Sequence, residues 1–384
     1  MLIERIIGNI KERREQVING GINCIPLPFK RFRNELPGIE QKRLYLVSGA
    51  SKSGKSQFGS YMFLYTPILY AYNNPDKIRV KVFYFPLEET QEQVTMRFMS
   101  FLLYVLSNKT IRISPVDLMS TRSDRPLDPY VIALLESEKY QNILKFFEEH
   151  VYFCSEKNPT GIFKQMDSYA KSNGTIHKKK QVINDRANNT MTEQLVFDYY
   201  EPNDKNEYVI GITDHVSLLS LESGQTLKQA IDAHANYNML LRNRYNYILV
   251  DMQQQNIEST GLEAFKANKI RPTLSGLADS KDTGKACDVM LGLTNPYSFE
   301  IKTYAGYDCS KLKGNLRFLE VVLNRSGQSN GLLPMYFDGA VNYYDEMPRP
   351  DEEEKLSTIY SSIENRVKSM ISKCYHFIVK RNKY

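Results

Sequence analysis

The chain has 384 residues, 42% of them apolar, enough for one large domain or two smaller ones with a sizeable core. Fifty Lys and Arg against 44 Asp and Glu give a net charge of +6, which permits an anionic partner without singling one out. Five cysteines without a C-x-x-C pair speak against a disulfide framework or a zinc site, no run approaches the ~20 apolar residues of a membrane span, and the N-terminus lacks a signal peptide's apolar core, so a cytoplasmic protein is expected.

Residues 2 to 19 place Leu2, Ile3, Ile6, Ile7 and Ile10 on one helical face, with Glu4, Lys11, Arg13 and Arg14 around the rest. This predicts a short amphipathic helix. Gly20, Gly21, Pro26 and Pro28 then form a flexible and then stiff connector, so the helix either docks on a partner subunit or caps its own core. From Lys42 onward strand and helix alternate: LYLVSG, a helix from Gly54, VKVFYF, and a helix opened by a Thr90 and Gln93 capping box. Further strands are predicted at 208 to 214, 247 to 252, 288 to 293 and 318 to 324, and a helix capped by Thr226 and Gln229 leads into the second of them.

The pattern predicts an α/β fold with a mainly parallel sheet flanked by helices. One doubly wound domain is expected over residues 22–345, after the N-terminal helical segment 1–21. The segment from Ser155 to Glu207, with Asn173, Gly174, Asn188 and Asn189, reads as a polar loop insertion. Its run His177 to Lys180 suits either a nucleic-acid backbone, through Lys178, Lys179 and Lys180, or an ordinary solvated surface. After the acidic run Asp351 to Glu354, Ile359, Ile363, Val367, Met370 and Ile371 predict a helix within a C-terminal extension, 346–384.

The chemistry concentrates at Gly49, Ala50, Ser51, Lys52, Ser53, Gly54, Lys55 and Ser56, the run GASKSGKS between an apolar strand and a helix. Glycines let successive backbone N–H groups converge on anionic oxygens, and the helix N-terminus adds its dipole. Lys55 is placed to reach the outer phosphates and Ser56 to ligate Mg²⁺. Hydrolysis also needs a carboxylate to orient water and an acid near the metal. Glu88 and Glu89 follow the second strand, and Asp214 ends the apolar run YVIGIT as a Walker B aspartate does. Asp251 competes with Asp214 for that role.

The order GASKSGKS, FPLEE, ITDHVSLLS, VDMQQQN, RPTLSGLADS with CDVMLGL, and LNRSG resembles the RecA-like motor domain of the DnaB family of replicative helicases. The resemblance implies an ATP- and Mg²⁺-dependent enzyme in which Glu88 polarises water, Asp214 serves the metal and Gln254 reports nucleotide state. It implies that Arg325 reaches a neighbouring subunit's site as an arginine finger, hence a homo-hexameric ring on single-stranded DNA, with a primase or helicase loader as further partners. Two departures stand out. Leu323 replaces the lysine common two residues before the finger, and Ala278, Asp279, Ser280 and Lys281 stand where the family's DNA-gripping loop reads R-E-S-G. Asp279, Ser280 and Lys281 are the DNA-binding candidates on that ground. The family's primase-recruiting domain has no counterpart before residue 1, and with the Asn-, Lys- and Tyr-rich composition this points to a phage gene. Two other readings stay open: a RecA-like ATPase that assembles on DNA without unwinding it, in recombination or as a clamp, and a nucleotide-switched scaffold.

Overall fold

The computed structural model describes residues 2–185, 190–256 and 270–364. A nine-stranded sheet runs through it, with β1 at Arg43–Gly49, β2 at Arg79–Pro86, β3 at Val151–Phe153, β4 at Glu207–Asp214 and β5 at Ile248–Gln254. It continues with β6 at Val289–Thr294, β7 at Leu316–Asn324, β8 at Leu332–Asp338 and β9 at Tyr343–Glu346. The spatial order is β9-β8-β7-β6-β1-β5-β4-β2-β3. From β6 to β3 every pairing is parallel; β7, β8 and β9 add an antiparallel flank.

The parallel strands read as continuous apolar runs because helices cover both faces. In β1, β4 and β5 nearly every residue is buried. One face carries an aromatic-rich core around Tyr45, Phe58, Phe63, Tyr65, Phe98 and Phe101. The other packs Leu44, Leu46, Phe83 and Leu249 under the helices Pro159–Ser172 and Leu227–Tyr245. Both predicted capping boxes form, each hydroxyl accepting from the backbone N–H three residues on. Because β1 lies between β6 and β5, its C-terminal end opens at the centre of the sheet, where open α/β sheets place their ligands.

Three expectations are revised. Residues 155–207 are not a loop: a helix, Pro159–Ser172, leads into an antiparallel hairpin of Gly174–Asp185 with Thr190–Pro202. Its polar composition hid the strands because most of it is solvated, with Ile176, Phe197 and Tyr200 packing its base on the core and charge pairs running across the rest. Lys179 pairs with Asp198, Lys180 with Glu193 and His177 with Glu201. Secondly, the N-terminal helix Leu2–Ile18 does not cap its own core; Ile3 is 70% exposed and Ile10 60%. Finally, β3, β8 and β9 were not foreseen: β3 and β9 are short, and β8 holds Pro334. At the C-terminal end, residues 353–364 are helical and Ile363 is buried, while Val367, Met370 and Ile371 lie outside the described residues, as do Cys374, Asn188 and Asn189. No described helix is long and apolar enough to cross a membrane.

Candidate active site

Gly54 takes φ +95°, a left-handed conformation that an L side chain strains to adopt, and a Cβ there would meet the Tyr344 hydroxyl at 2.9 Å. The turn it makes starts the helix that runs on from Lys55 to Asn73. Gly49 is equally confined, by the Leu293 carbonyl at 2.6 Å from a built Cβ. The loop is thus fixed by close backbone approach on two sides. Lys55 Nζ rests 3.3 Å from the Ala50 carbonyl, folded back over the loop, and burial holds its pKa below the ordinary lysine value.

Asp214 ends β4 and is 3% exposed. Ser56 Oγ donates to its Oδ1 at 3.0 Å and Tyr84 Oη to its Oδ2 at 3.2 Å. Burial pushes the Asp214 carboxyl up from the usual carboxylate range, with the Ser56 bond and His215 working against the shift. A serine hydroxyl beside a carboxylate is a hard-oxygen donor set, which suits Mg²⁺ sharing its remaining positions with water and phosphate oxygens.

Glu88 stands just past β2, whose end pairs with Asp214 through Pro86. Its side chain is 55% exposed and its Oε2 lies 3.6 Å from His215 Nε2. Glu89, the alternative, is taken: it forms an ion pair with Arg97. Asp251 is also taken. It is buried within β5, where His234 Nε2 stands at 2.9 Å and Asn238 Nδ2 spans both oxygens at 3.0 Å. Lys55, Ser56, Asp214 and Glu88 therefore gather at one end of the sheet without Asp251.

Gln254 ends β5 in register with Gly49, and its carbonyl accepts the Ala278 N–H at 2.9 Å. Its neighbours, which the sequence reading passed over, carry the side-chain contacts. Gln255 Nε2 donates to Ser48 Oγ at 2.9 Å and to the Thr273 carbonyl at 3.1 Å. Gln253 Nε2 donates to the Ser280 carbonyl at 2.7 Å. Of the loop residues singled out earlier, Ser280 is buried with its hydroxyl on Asp232, Asp279 accepts from Ser217 Oγ at 2.5 Å, and Lys281 is exposed.

Arg325 is not brought to this site. It follows β7, whose Asn324 pairs with Val289 at the start of β6, whereas Leu293, near the end of β6, pairs with Gly49. Four strand residues separate the two positions, about 13 Å at the usual rise. The exposed Arg325 donates Nε to the Cys287 carbonyl at 2.8 Å and Nη2 to the Lys285 carbonyl at 2.5 Å. Tyr84, His215 and Arg317 border the site and were not foreseen. For Tyr84 and Arg317 no local motif marks them, since each is one residue in an ordinary strand; His215 follows the Walker B aspartate directly.

No family model matches the sequence, and no curated protein matches it at a significant level. Solved structures do. One of them, an ATPase domain, superposes with a TM-score of 0.60 at 12% identity, covering 90% of this chain and 99% of that one. The fold is that of a RecA-like ATPase domain. A DnaB-like replicative helicase, described with its interactions with primase, matches with a TM-score of 0.57 at 12% identity over 90% of this chain and 67% of that one. The RadB recombinase matches at 12% identity and a TM-score of 0.43, over 84% of this chain and 100% of that one.

Proposed function

We propose that this protein is an ATP-driven DNA helicase of the DnaB type, working as a ring of identical subunits on single-stranded DNA. The observation that carries the reading is the division of the site. Loop, metal pair and Glu88 share one end of the sheet, while the finger candidate Arg325 sits at the other. An arginine so placed serves phosphoryl transfer only in a neighbour's site, where it offsets charge in the transition state.

In this reading the P-loop amides and Lys55 hold the β- and γ-phosphates, and Ser56 and Asp214 serve Mg²⁺. Glu88, exposed and free of a strong ion pair, orients the attacking water. The chemistry supplied by Mg²⁺ is charge neutralisation on the transferring phosphoryl group. Gln254, adjacent in register to Gly49, carries the state of the loop toward residues 278–281, and the exposed apolar face of the N-terminal helix supplies an intersubunit contact. Lys281 is the DNA-facing cation. Primase or a helicase loader is the expected partner class, and ATP with Mg²⁺ the cofactors.

A second reading, an ATPase that assembles on DNA without separating strands, is favoured by the internal engagement of Asp279 and Ser280, which leaves Lys281 alone to grip. The two separate in one assay. Wild-type protein should hydrolyse ATP faster with single-stranded DNA and unwind a forked duplex, and Lys55→Ala should lose both. Hydrolysis without strand separation favours the second reading, and unwinding by Lys55→Ala at the wild-type rate sinks the first.

A further inference from the structure

Arg317 lies near the start of β7 and is only 5% exposed, yet no acidic side chain among the described residues pairs with it. Nε donates to the Ser53 carbonyl at 2.8 Å, and Nη1 to the carbonyls of Gly314 and Leu316, both at 2.8 Å. The guanidinium lies over the Phe337 ring, 4.8 Å from its centroid. Nη2 finds no acceptor among the described residues. A charge buried among neutral carbonyls and a ring is unfavourable unless an anion balances it, and arginine does not shed its proton. Burial accordingly holds this guanidinium below its ordinary pKa.

The position of the charge names the anion. Ser53 and Gly54 belong to the phosphate loop, and a Cβ built on Gly54 would stand 3.7 Å from Arg317 Nε. A neutral amide would satisfy the carbonyl of Ser53 as well as a guanidinium does; the positive charge is surplus to that contact. A polyphosphate held by the loop's amides brings several negative charges close to it, across a path of protein rather than water.

We propose that Arg317 is the charge partner of the nucleotide's phosphates, a positioning residue that acts through the P-loop from within the same subunit. It differs from Arg325 in both origin and timing: Arg317 is in place before any neighbour arrives. The proposal rests on the reading of Gly49 to Ser56 as a nucleotide-binding loop.

The test is calorimetric titration of MgATP and MgADP into wild type, Arg317→Gln and Arg317→Lys, with the melting temperature of each nucleotide-free protein. Arg317→Gln should weaken MgATP by about tenfold or more and MgADP by less, as expected for a charge removed at short range. Its nucleotide-free melting temperature should match or exceed the wild type's, since an uncompensated charge has gone. Arg317→Lys should recover part of the lost affinity. A Gln variant that melts lower but whose folded fraction binds MgATP as tightly as wild type makes Arg317 a structural latch and overturns the proposal; where Gln fails to fold, a folded Lys variant that loses MgATP and MgADP affinity alike overturns it. Equal losses for Gln and Lys, with MgATP and MgADP alike, overturn it too, because shape and not charge is then at work. A wild-type protein that binds neither nucleotide overturns the reading of the loop itself, and the proposal falls with it.

Discussion

Asp214 is a buried carboxyl that accepts from Ser56 and Tyr84. Its pKa is raised, chiefly by burial, so its contribution to stability is present below the unfolded carboxylate range and lost as pH rises through the folded value. At neutral pH ionisation of this carboxyl therefore costs stability, a cost that a bound cation would offset. Asp214→Asn should melt roughly 2 °C or more above wild type at pH 7, with the gap closing as pH falls toward 4, while Mg²⁺-dependent turnover is lost. Calorimetric scans across that pH range check it; a variant that melts below wild type at pH 7 would show the carboxylate to be stabilising. Glu88 obeys a different logic. It is exposed, lies near His215 and is placed by the backbone at the end of β2.

At the scale of elements, the sequence reveals what repeats and conceals what is single. Periodicity exposes β1, β2, β4, β5, β6 and β7 because each is a buried apolar run, and the two capping boxes mark helix starts within one residue. The P-loop is legible because glycine spacing follows directly from the geometry of phosphate binding. Arg317 and Tyr84 are not legible: their significance arises from which strand lies beside which, a property of β7 meeting the loop across the sheet order. The hairpin at 174–202 was hidden for another reason: among its described residues only Ile176, Phe197 and Tyr200 pack on the core, while charged pairs occupy much of the rest. Lys179 and Lys180 are matched by acids, which weakens the case for a nucleic-acid contact there.

The N-terminal helix carries its own test. Ile3, Ile6, Ile7 and Ile10 form an exposed apolar stripe that a monomer leaves in water. Ile6→Asp with Ile10→Asp should leave the melting temperature of the subunit within about 1 °C, because these side chains bury little within it. The same pair should reduce the mass of the assembly in light scattering or native mass spectrometry. An unchanged assembly mass would assign the stripe to something other than subunit contact.

In the proposed function each subunit supplies half of an active site. Its sheet carries Gly49 to Ser56, Asp214 and Glu88 at one end and Arg325 at the other, so in the proposed ring two copies in head-to-tail contact would complete one site, repeated at every interface. The most direct measurement mixes two inactive variants, Lys55→Ala and Arg325→Ala, under conditions where subunits exchange. Each alone should hydrolyse ATP about 10³-fold or more slowly than wild type. Random mixing in equal amounts should restore activity at about a quarter of the interfaces, those where an intact loop meets an intact finger. An Arg325→Ala protein that is fully active by itself, or a mixture that exchanges subunits yet regains no activity, would contradict the shared site.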